Sequence, residues 1–576
     1  MNLDELVVLF IDCQTTGANP KQGSLIEIGW ARSDMFDDHF AQPASVTTRV
    51  LKLLPGQEIP TRVQRITGIN ADEVIDGCEP HEVWLQLLSA ADDVARLNQM
   101  DECVTVIHFA KFEIPFLLDL HIGTKTGRRF PFSIICTHEI ARRLFPELPR
   151  RSIRAIAGYF GYSLNSLRRC EGHIKATALI WRETVKLIKE RYNIMTLKQI
   201  QEWLEHPVLS MTTERKYPMS EKTRRDLPDD PGVYRMLRSN GDILYVGKAS
   251  SLRKRVNSYF RKSSRHPEHI LEMLSQAKQI KVTKTSSVLE ASILESDEIK
   301  RFSPPYNVAL RKGERGVWFC SRDLREFSSR PTAKCRTGPI TSLDPMKCLA
   351  AISELVRARD TAEIDGELLM IVLGISEEYA PDAQCGRDGF TLFLQRHKRA
   401  LSSKRVDRAL TELGQNIWQQ RKAEKQIEAD ETEEFILKSV EIPVWTPASV
   451  CRLIESNVAR GGYEIRRARW LVLLSESSLG WQEKDAKGAS KFLLVFERGQ
   501  VLYSRQIDTE VLPVPPGYQM THEERQRSFD LMTVDRMRVV TTEIRNMIAN
   551  NAYVMLRLSP TNVLDNTAIA KVFKWV

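Results

Sequence analysis

Hydrophobic positions follow two different rhythms over the first 200 residues. The runs "LVVLFID", "SLIEIGWARS" and "CVTVIHFA" are short and continuous or alternating, as buried strands are. "HEVWLQLLSAADDVARL" and "HIKATALIWRETVKLIKERY" instead repeat their apolar residues every three to four positions, as helices do. Strands and helices taking turns predict an α/β domain over residues 1–204. The pattern lapses in "EHPVLSMTTERKYPMSEKTRRD", which is polar, Pro-punctuated and without a period, and marks 205–226 as a linker. A compact unit follows over 227–312, where "PGVYRML" and "ILYVGK" flank Asn240-Gly241, the dipeptide of a tight hairpin. Residues 313–399 form a mixed extension, and 400–440 predict a charged, solvated helical spacer with no sustained heptad. In 441–576, "RWLVLLS" and "KFLLVFERGQVLYSRQI" predict a small antiparallel sheet with a Gly-centred turn in an α+β domain of unassigned role.

Composition narrows the function classes. The chain has 576 residues, 42% of them hydrophobic, enough for several cores. A net charge of +9 and a pI near 8.9 point to a polyanionic partner. The ten cysteines are scattered without a close pair, which suits free thiols in a reducing cytosol. Asp4 and Glu5 precede the first apolar run, so no secretory leader is expected. No run nears the roughly 18 apolar residues of a membrane span. The expectation is a cytoplasmic protein with no membrane contact.

Chemistry concentrates in two places. Between Ile243 and Pro267 there is no acid, while Lys248, Arg253, Lys254, Arg255, Arg261, Lys262 and Arg265 alternate with Tyr259 and Phe260. Such charges hold phosphate backbones, so Arg253, Lys254, Arg261 and Lys262 are candidate DNA contacts. Arg255 and Tyr259 lie one helical turn apart and project from one side. Farther on, "SVLEASILESDEIKRF" predicts a helix with the stripe Val288, Ala291, Ser292, Ile299. Glu295 falls on that stripe, and Asp297, Glu298 and Lys300 fall off it. An inward carboxylate needs a partner or a metal. Glu295 is therefore a candidate ligand for Mg²⁺ or Mn²⁺, which prefer oxygen donors. "GDILYVGK" has the wrong spacing for a nucleotide phosphate loop.

These residues resemble the GIY-YIG nucleases, and most closely the UvrC/Cho-like branch. The matching pieces are Gly232-Val233-Tyr234, Tyr245-Val246-Gly247-Lys248, Leu252 to Phe260, Glu295 and "PPYNVALR". The resemblance implies a single metal on Glu295, a water activated with help from Tyr234, and phosphorane charge stabilised by Arg255. It assigns Tyr245, Lys248, Tyr259 and Asn307 to the remaining site positions. It also implies damaged DNA as substrate and UvrA/UvrB-type repair proteins as partners. Cys320, Cys335 and Cys348 lie where UvrC proteins carry a cysteine cluster, but their spacing argues against a metal or iron–sulfur site.

The N-terminal region resembles the DEDDh (DnaQ-like) 3′-5′ exonucleases. "IDCQTTGANP…SLIEIGWA", "IPTRVQRITGIN", "VIHFAKFEIPFL" and "RRSIRAIAGYFGYS…EGHIKATALIW" match their segments in order. The departures fall on the chemistry. Asp12 matches the first acid and His173 the general base, whereas Gln14 stands at the second acid, Glu113 at the third and Ala178 at the fourth. Two dications demand oxygen ligands and negative charge. The site is thus expected to be degenerate, with a weakened single-metal site on Asp12 and Glu113 as the alternative. Arg128, Arg129, Arg142, Arg143, Arg150 and Arg151 are candidates for a basic path to DNA ends or single strands.

The expected architecture is multidomain α/β and α+β: an RNase H-like exonuclease fold, a small GIY-YIG α/β domain and an α+β C-terminal region. The expected function is a metal-dependent DNA endonuclease of the nucleotide-excision-repair type, with the exonuclease-like domain as a DNA-binding module. A 3′-5′ exonuclease for proofreading or end trimming with an accessory GIY-YIG domain is one alternative. A non-catalytic DNA-binding scaffold is the other.

Overall fold

The computed structural model describes residues 1–573 apart from 36–45, 54–55, 164–166, 208–214, 262–264, 308–315, 359–365, 376–379, 404, 425–444, 486–487 and 509–510. The chain divides into two compact units. The first comprises Met1–Asp230, Tyr234–Thr283 and Pro304–Val308; the second comprises Pro231–Val233, Lys284–Ser303 and Ala309–Val576.

In the first unit, β1 (Leu9–Thr15), β2 (Leu25–Arg32), β3 (Thr47–Val50), β4 (Cys103–Ile107) and β5 (Phe132–Cys136) form one sheet in the order β3-β2-β1-β4-β5. β1 pairs antiparallel with β2 and parallel with β4, so the sheet is mixed. Alternate residues of β1 serve opposite cores. Leu9 and Ile11 pack with Trp84 and Leu87 of helix Pro80–Leu97, whereas Phe10 packs with Ile174 and Ala178 of helix Cys170–Tyr192. Helices thus cover both faces, as the strand–helix alternation predicts.

β6 (Gly232–Leu237), β7 (Ile243–Ala249) and β8 (Gln279–Lys284) form a sheet in the order β7-β6-β8, all but Gly232, Val233 and Lys284 falling in the first unit. Gly241, at φ 92°, makes the turn between β6 and β7 that the Asn-Gly pair predicts. The predicted linker is not polar throughout: Met219 is buried in one core with Tyr234, Leu244 and Val256, and Tyr217 packs against it. Helix Glu268–Gln276 packs on helix Ile153–Tyr159. There the Arg150 N–H donates to Ser275 Oγ at 2.9 Å, and the Ser152 hydroxyl donates to Glu272 Oε2 at 2.5 Å. Gly158 permits that approach, because a Cβ on it would sit 1.9 Å from Gln276 Oε1.

In the second unit, β9 (Trp318–Ser321), β10 (Phe327–Ser328) and β11 (Cys335–Ile340) make a small sheet. β12 (Ser478–Asp485), β13 (Gly488–Glu497), β14 (Gln500–Ile507), β15 (Tyr553–Arg557) and β16 (Val563–Leu564) make an antiparallel one in the order β14-β13-β12-β15-β16. The predicted Gly-centred turn stands between β13 and β14, with Gly499 at φ 70°. "RWLVLLS" is not a strand. Its residues close helix Pro447–Leu474, with Trp470, Leu471 and Val472 in the core against the sheet. A short apolar run cannot be told from a buried helical turn by period alone.

The predicted solvated spacer is also corrected. Helix Val406–Glu424 buries Leu410, Leu413 and Ile417 against helix Pro447–Leu474, and Trp418 stacks on Tyr463 at 4.2 Å. Gly414 and Gly462 bring the two backbones together. The rest of the charged stretch lies outside the described residues.

Candidate active sites

Three phenols meet in the small β6–β8 domain. Ring centroids of Tyr234, Tyr245 and Tyr259 are 6.1, 6.3 and 6.4 Å apart, and the Tyr234 and Tyr259 hydroxyls share a 3.0 Å hydrogen bond. Gly247 makes room for this cluster. A Cβ there would lie 2.5 Å from Tyr234 Cζ and 2.8 Å from Tyr245 Cε1. Ser251 caps helix Leu252–Ser258, accepting from the Lys254 N–H at 3.3 Å. That helix presents Arg255, whose guanidinium lies 5.2 Å from the Tyr259 ring centre and donates to its hydroxyl at 3.4 Å. Burial, reinforced by Tyr259, pushes the Tyr234 phenol well up, so it stays protonated at neutral pH. Burial opposes the Arg255 charge, but the phenolic oxygens of Tyr234 and Tyr259 raise its pKa on balance.

Asn307 has a structural duty at this site. Its amide donates to the Val246 carbonyl at 2.8 Å and accepts from the Val246 N–H at 2.9 Å, extending β7 as a strand partner would. Lys248 is half-buried on β7. Arg253, paired with Asp229, and Lys254 and Arg261 are exposed; Lys262 lies outside the described residues. Two neighbours escaped sequence reasoning. The His266 ring stacks on Tyr259 at 5.8 Å and its Nε2 meets the Tyr259 carbonyl at 2.8 Å. Tyr306, beside Asn307, donates to Glu272 Oε1 at 2.8 Å. A lone histidine or a Pro-Pro-Tyr turn carries no periodic signal.

Glu295 lies half-buried on helix Val288–Phe302, within the second unit. The predicted stripe of that helix is too narrow. Leu289, Ile293, Ser296, Glu298 and Lys300 are buried too, because helix Leu531–Ala549 packs along this side. One carboxylate completed by water is a donor set that Mg²⁺ or Mn²⁺ accepts.

The exonuclease-like site is built on β1 and helix Cys170–Tyr192. Gly29 on β2 lets the helix approach, since a Cβ there would lie 2.8 Å from Cys170 Cβ and Ile174 Cδ1. Asp12, 5% exposed, has both oxygens engaged: Gln14 Nε2 donates to Oδ2 at 3.0 Å, and His173 Nδ1 stands 3.0 Å from Oδ1. Burial disfavours charge on His173, yet the Asp12 carboxylate outweighs it and raises the pKa. With Nδ1 protonated, the 3.2 Å approach of Gln14 Nε2 to it is a contact rather than a second hydrogen bond. Glu113 is 4% exposed, and burial, then the Asp12 charge, push its carboxyl well up. Ala178 is buried in the core. Neither nearby acid replaces the missing ones: Glu171 pairs with Lys175 at 2.5 Å and Glu183 with Arg182 at 3.0 Å.

This donor set falls short of what a pair of dications demands, with two carboxylates, Asp12 and Glu113, at four positions. Asp12 accepts one protein donor on each oxygen, and Glu113 Oε2 is buried without a hydrogen-bond partner among the described residues. Among the described residues no group of three or more His, Cys, Asp or Glu side chains is arranged to hold a metal. Cys320 and Cys335 lie on the paired strands β9 and β11 as free thiols, and the free thiol of Cys348 donates to the Ile371 carbonyl at 3.0 Å. One buried acid was missed. Glu27, opposite Gln14 in register, accepts from Arg169 Nε at 2.9 Å and from the Cys170 N–H at 3.0 Å. Its place amid the apolar "LIEIGWA" was the available signal.

Most arginines of the predicted basic path are engaged with other protein groups, and Arg129 is exposed. Arg128 pairs with Asp92 at 2.8 Å and Arg142 with Glu139 at 2.9 Å. Arg143 donates to the Leu204 and His206 carbonyls, Arg150 pairs with Glu268, and Arg151 donates to the Phe145 carbonyl.

A mixed sheet covered on both faces, joined to a small sheet with a tyrosine–arginine cluster, defines a fusion of two nuclease folds. Family models agree: residues 9–166 match an exonuclease domain and 230–308 match a UvrC-like GIY-YIG domain. The chain therefore carries an RNase H-like exonuclease domain and a UvrC-like GIY-YIG domain. Its relatives include the UvrABC system protein C of Psychrobacter arcticus, 48% identical over 117 residues, covering 20% of this chain and 19% of that one. The counterpart in Nitrosomonas eutropha is 53% identical over 85 residues, covering 15% and 14%. The chain thus spans between 13% and 19% of the length of the curated relatives it matches. Among solved structures, the GIY-YIG N-terminal endonuclease domain of UvrC from Thermotoga maritima, bound to magnesium, is 32% identical. It matches 16% of this chain and 100% of that one with a TM-score of 0.14. The nuclease domain of 3′hExo, a DEDDh family member bound to rAMP, is 14% identical, matching 34% and 98% with a TM-score of 0.26. No helix among the described residues is long and apolar enough to cross a membrane.

Proposed function

We propose that this protein is a DNA repair endonuclease of the nucleotide-excision-repair type, cutting a phosphodiester bond at its GIY-YIG site. The observation that carries this reading is the intact cluster of Tyr234, Tyr245, Tyr259 and Arg255, seated over Gly247 inside the segment that matches the UvrC-like family. Glu295 is the ligand of Mg²⁺ or Mn²⁺, which when bound supplies Lewis-acid polarisation of the scissile phosphate. Arg255, held against Tyr259, offers its remaining N–H groups to the phosphate as charge develops. The protonated Tyr234 and its partner Tyr259 orient the attacking water by hydrogen bonding. Lys248 completes the site, and Arg253, Lys254, Arg261 and Lys262 hold the DNA backbone.

In this reading the exonuclease-like domain is a binding and positioning module without hydrolysis of its own, supported by the closed hydrogen bonding of Asp12. Tethering two weak DNA-binding modules raises effective concentration on one substrate. Damaged duplex or single-stranded ends in the cytoplasm are the substrate, and UvrA/UvrB-type proteins are the loaders, a choice supported by the name the relatives carry. The test is lesion-bearing duplex, labelled at either end, incubated with Mg²⁺ or Mn²⁺ and the wild type, Glu295→Ala or Asp12→Ala protein. Internal nicks lost only in Glu295→Ala are expected. A ladder of shortened 3′ ends lost in Asp12→Ala would overturn the reading.

A further inference from the structure

Helix Val288–Phe302 is fastened to helix Leu531–Ala549 by polar contacts on both sides of Glu295 in sequence. Before it, the Ser292 hydroxyl donates to Glu543 Oε1 at 3.0 Å. After it, Arg536 donates to Asp297 Oδ2 through Nη2 at 2.9 Å and Nε at 3.2 Å. One turn on, Lys300 Nζ lies 3.1 Å from Asp535 Oδ2, with side chains only 4% and 2% exposed. Arg536 is itself anchored, donating to the Gly499 carbonyl and Gln500 Oε1 where β13 turns into β14. The apolar remainder of the seam, Leu289 and Ile293, belongs to one core with Trp470, Phe492 and Met537.

Buried charge is a poor way to glue two helices, because desolvation offsets most of the attraction and apolar side chains hold as well or better. What ion pairs add is direction. Contacts at residues 292, 297 and 300 fix both the rotation and the axial register of the helix. A metal ligand needs that, since a site works only when its side chains are held within about half an ångström.

We propose that Asp535, Arg536 and Glu543 are positioning residues for Glu295, so that the C-terminal region of unassigned role sets the metal site of the endonuclease. The inference rests on the proposed function, in which Glu295 holds the metal. A helix fastened elsewhere would tolerate loss of these contacts with no change at the metal.

The test uses the full chain with two readouts: Mn²⁺ binding followed by electron paramagnetic resonance, and nicking of lesion-bearing duplex across a Mg²⁺ titration. The variants are Glu295→Ala, Arg536→Ala, Arg536→Lys and the charge swap Asp297→Arg with Arg536→Asp, each checked by thermal unfolding. Loss of an orienting partner weakens metal affinity or activity by about 10- to 100-fold in comparable sites. Arg536→Ala is expected to raise the Mn²⁺ dissociation constant and the half-saturating Mg²⁺ by that factor. Arg536→Lys falls between, and the swapped pair recovers part of the loss. Wild-type metal dependence in Arg536→Ala overturns the proposal. If that variant does not fold, wild-type metal dependence in both Arg536→Lys and the swapped pair does so. Mn²⁺ binding that depends on Glu295 and Arg536 without any nicking would leave the positioning role standing and sink the endonuclease reading. No Glu295-dependent binding would end both.

Discussion

Gln14 gives its amide N–H to Asp12 Oδ2 at 3.0 Å, while His173 stands at the same distance from Oδ1. An aspartate whose two oxygens both serve protein donors works as a structural hub. That relationship ties β1 to helix Cys170–Tyr192 through the first acid of the exonuclease-like motif.

Asp12→Ala should therefore cost stability and leave nicking alone. Two buried donors would lose their acceptor, a penalty of about 1–3 kcal/mol each at most sites of this kind. A lowered melting temperature with an unchanged nicking rate is the expected pair of results. A stable Asp12→Ala protein that stops cutting would contradict it.

The same contact predicts a pH signature. The His173 pKa is raised in the folded chain, so its pairing stabilises fully below the unfolded value of about 6.5 and fades as pH rises through the folded pKa. The buried neutral His108, pushed down to about 3 mainly by burial, acts oppositely and is lost on acidification. Comparing wild type with His173→Asn cancels the His108 effect. The melting-temperature gap between them should be widest near pH 5.5 and narrow toward pH 9; a gap that does not shrink refutes the pairing.

Gly247→Ala should cripple the tyrosine cluster. The added methyl would sit 2.5 Å from both Cζ and the hydroxyl of Tyr234, forcing the ring to move. Displacement of about 1 Å at such a site costs on the order of 100-fold in rate. Overpacking should also cost about 1–3 kcal/mol of stability. Steady-state nicking at saturating Mg²⁺ and thermal unfolding measure the two effects, and an unimpaired rate would show that Tyr234 is not where the chemistry needs it.

Gly158→Val should loosen the seam between helices Ile153–Tyr159 and Glu268–Gln276. Its side chain would meet Gln276, which cannot swing away easily because it bonds Arg238 at 3.1 Å and Tyr306 at 2.6 Å. Destabilisation of about 1–3 kcal/mol and faster proteolysis are expected, both absent if Gln276 simply rotates.

Much of the exonuclease and GIY-YIG architecture was legible because period and turn chemistry agree there. Asn240-Gly241 sets the hairpin, and "LVVLFID" and "CVTVIHFA" carry strand rhythm into neighbouring strands β1 and β4. The site residues of β6, β7 and helix Leu252–Ser258 are named by the family resemblance, and helical spacing by itself places only Arg255 beside Tyr259. What stayed illegible depends on distant partners. Lys300 and Glu298 look solvated in sequence, yet are buried beneath a helix more than 200 residues away. The arginines of 128–151 look like a phosphate path until Asp92, Glu139 and Glu268 are placed beside them. "RWLVLLS" shows the limit of period itself, because seven residues are too few to separate a helical turn from a strand.

The 230–308 segment is divided between the two compact units, with helix Val288–Phe302 belonging to the second. Excising the GIY-YIG domain by a cut near residue 312 would strip that helix of Asp535, Arg536 and Glu543 and bare Leu289 and Ile293 to water. A fragment so made would be a sticky one, prone to self-association. The boundary that the family match draws near residue 308 is thus not where the packing of this chain ends, and a soluble fragment is expected to need the C-terminal region as well.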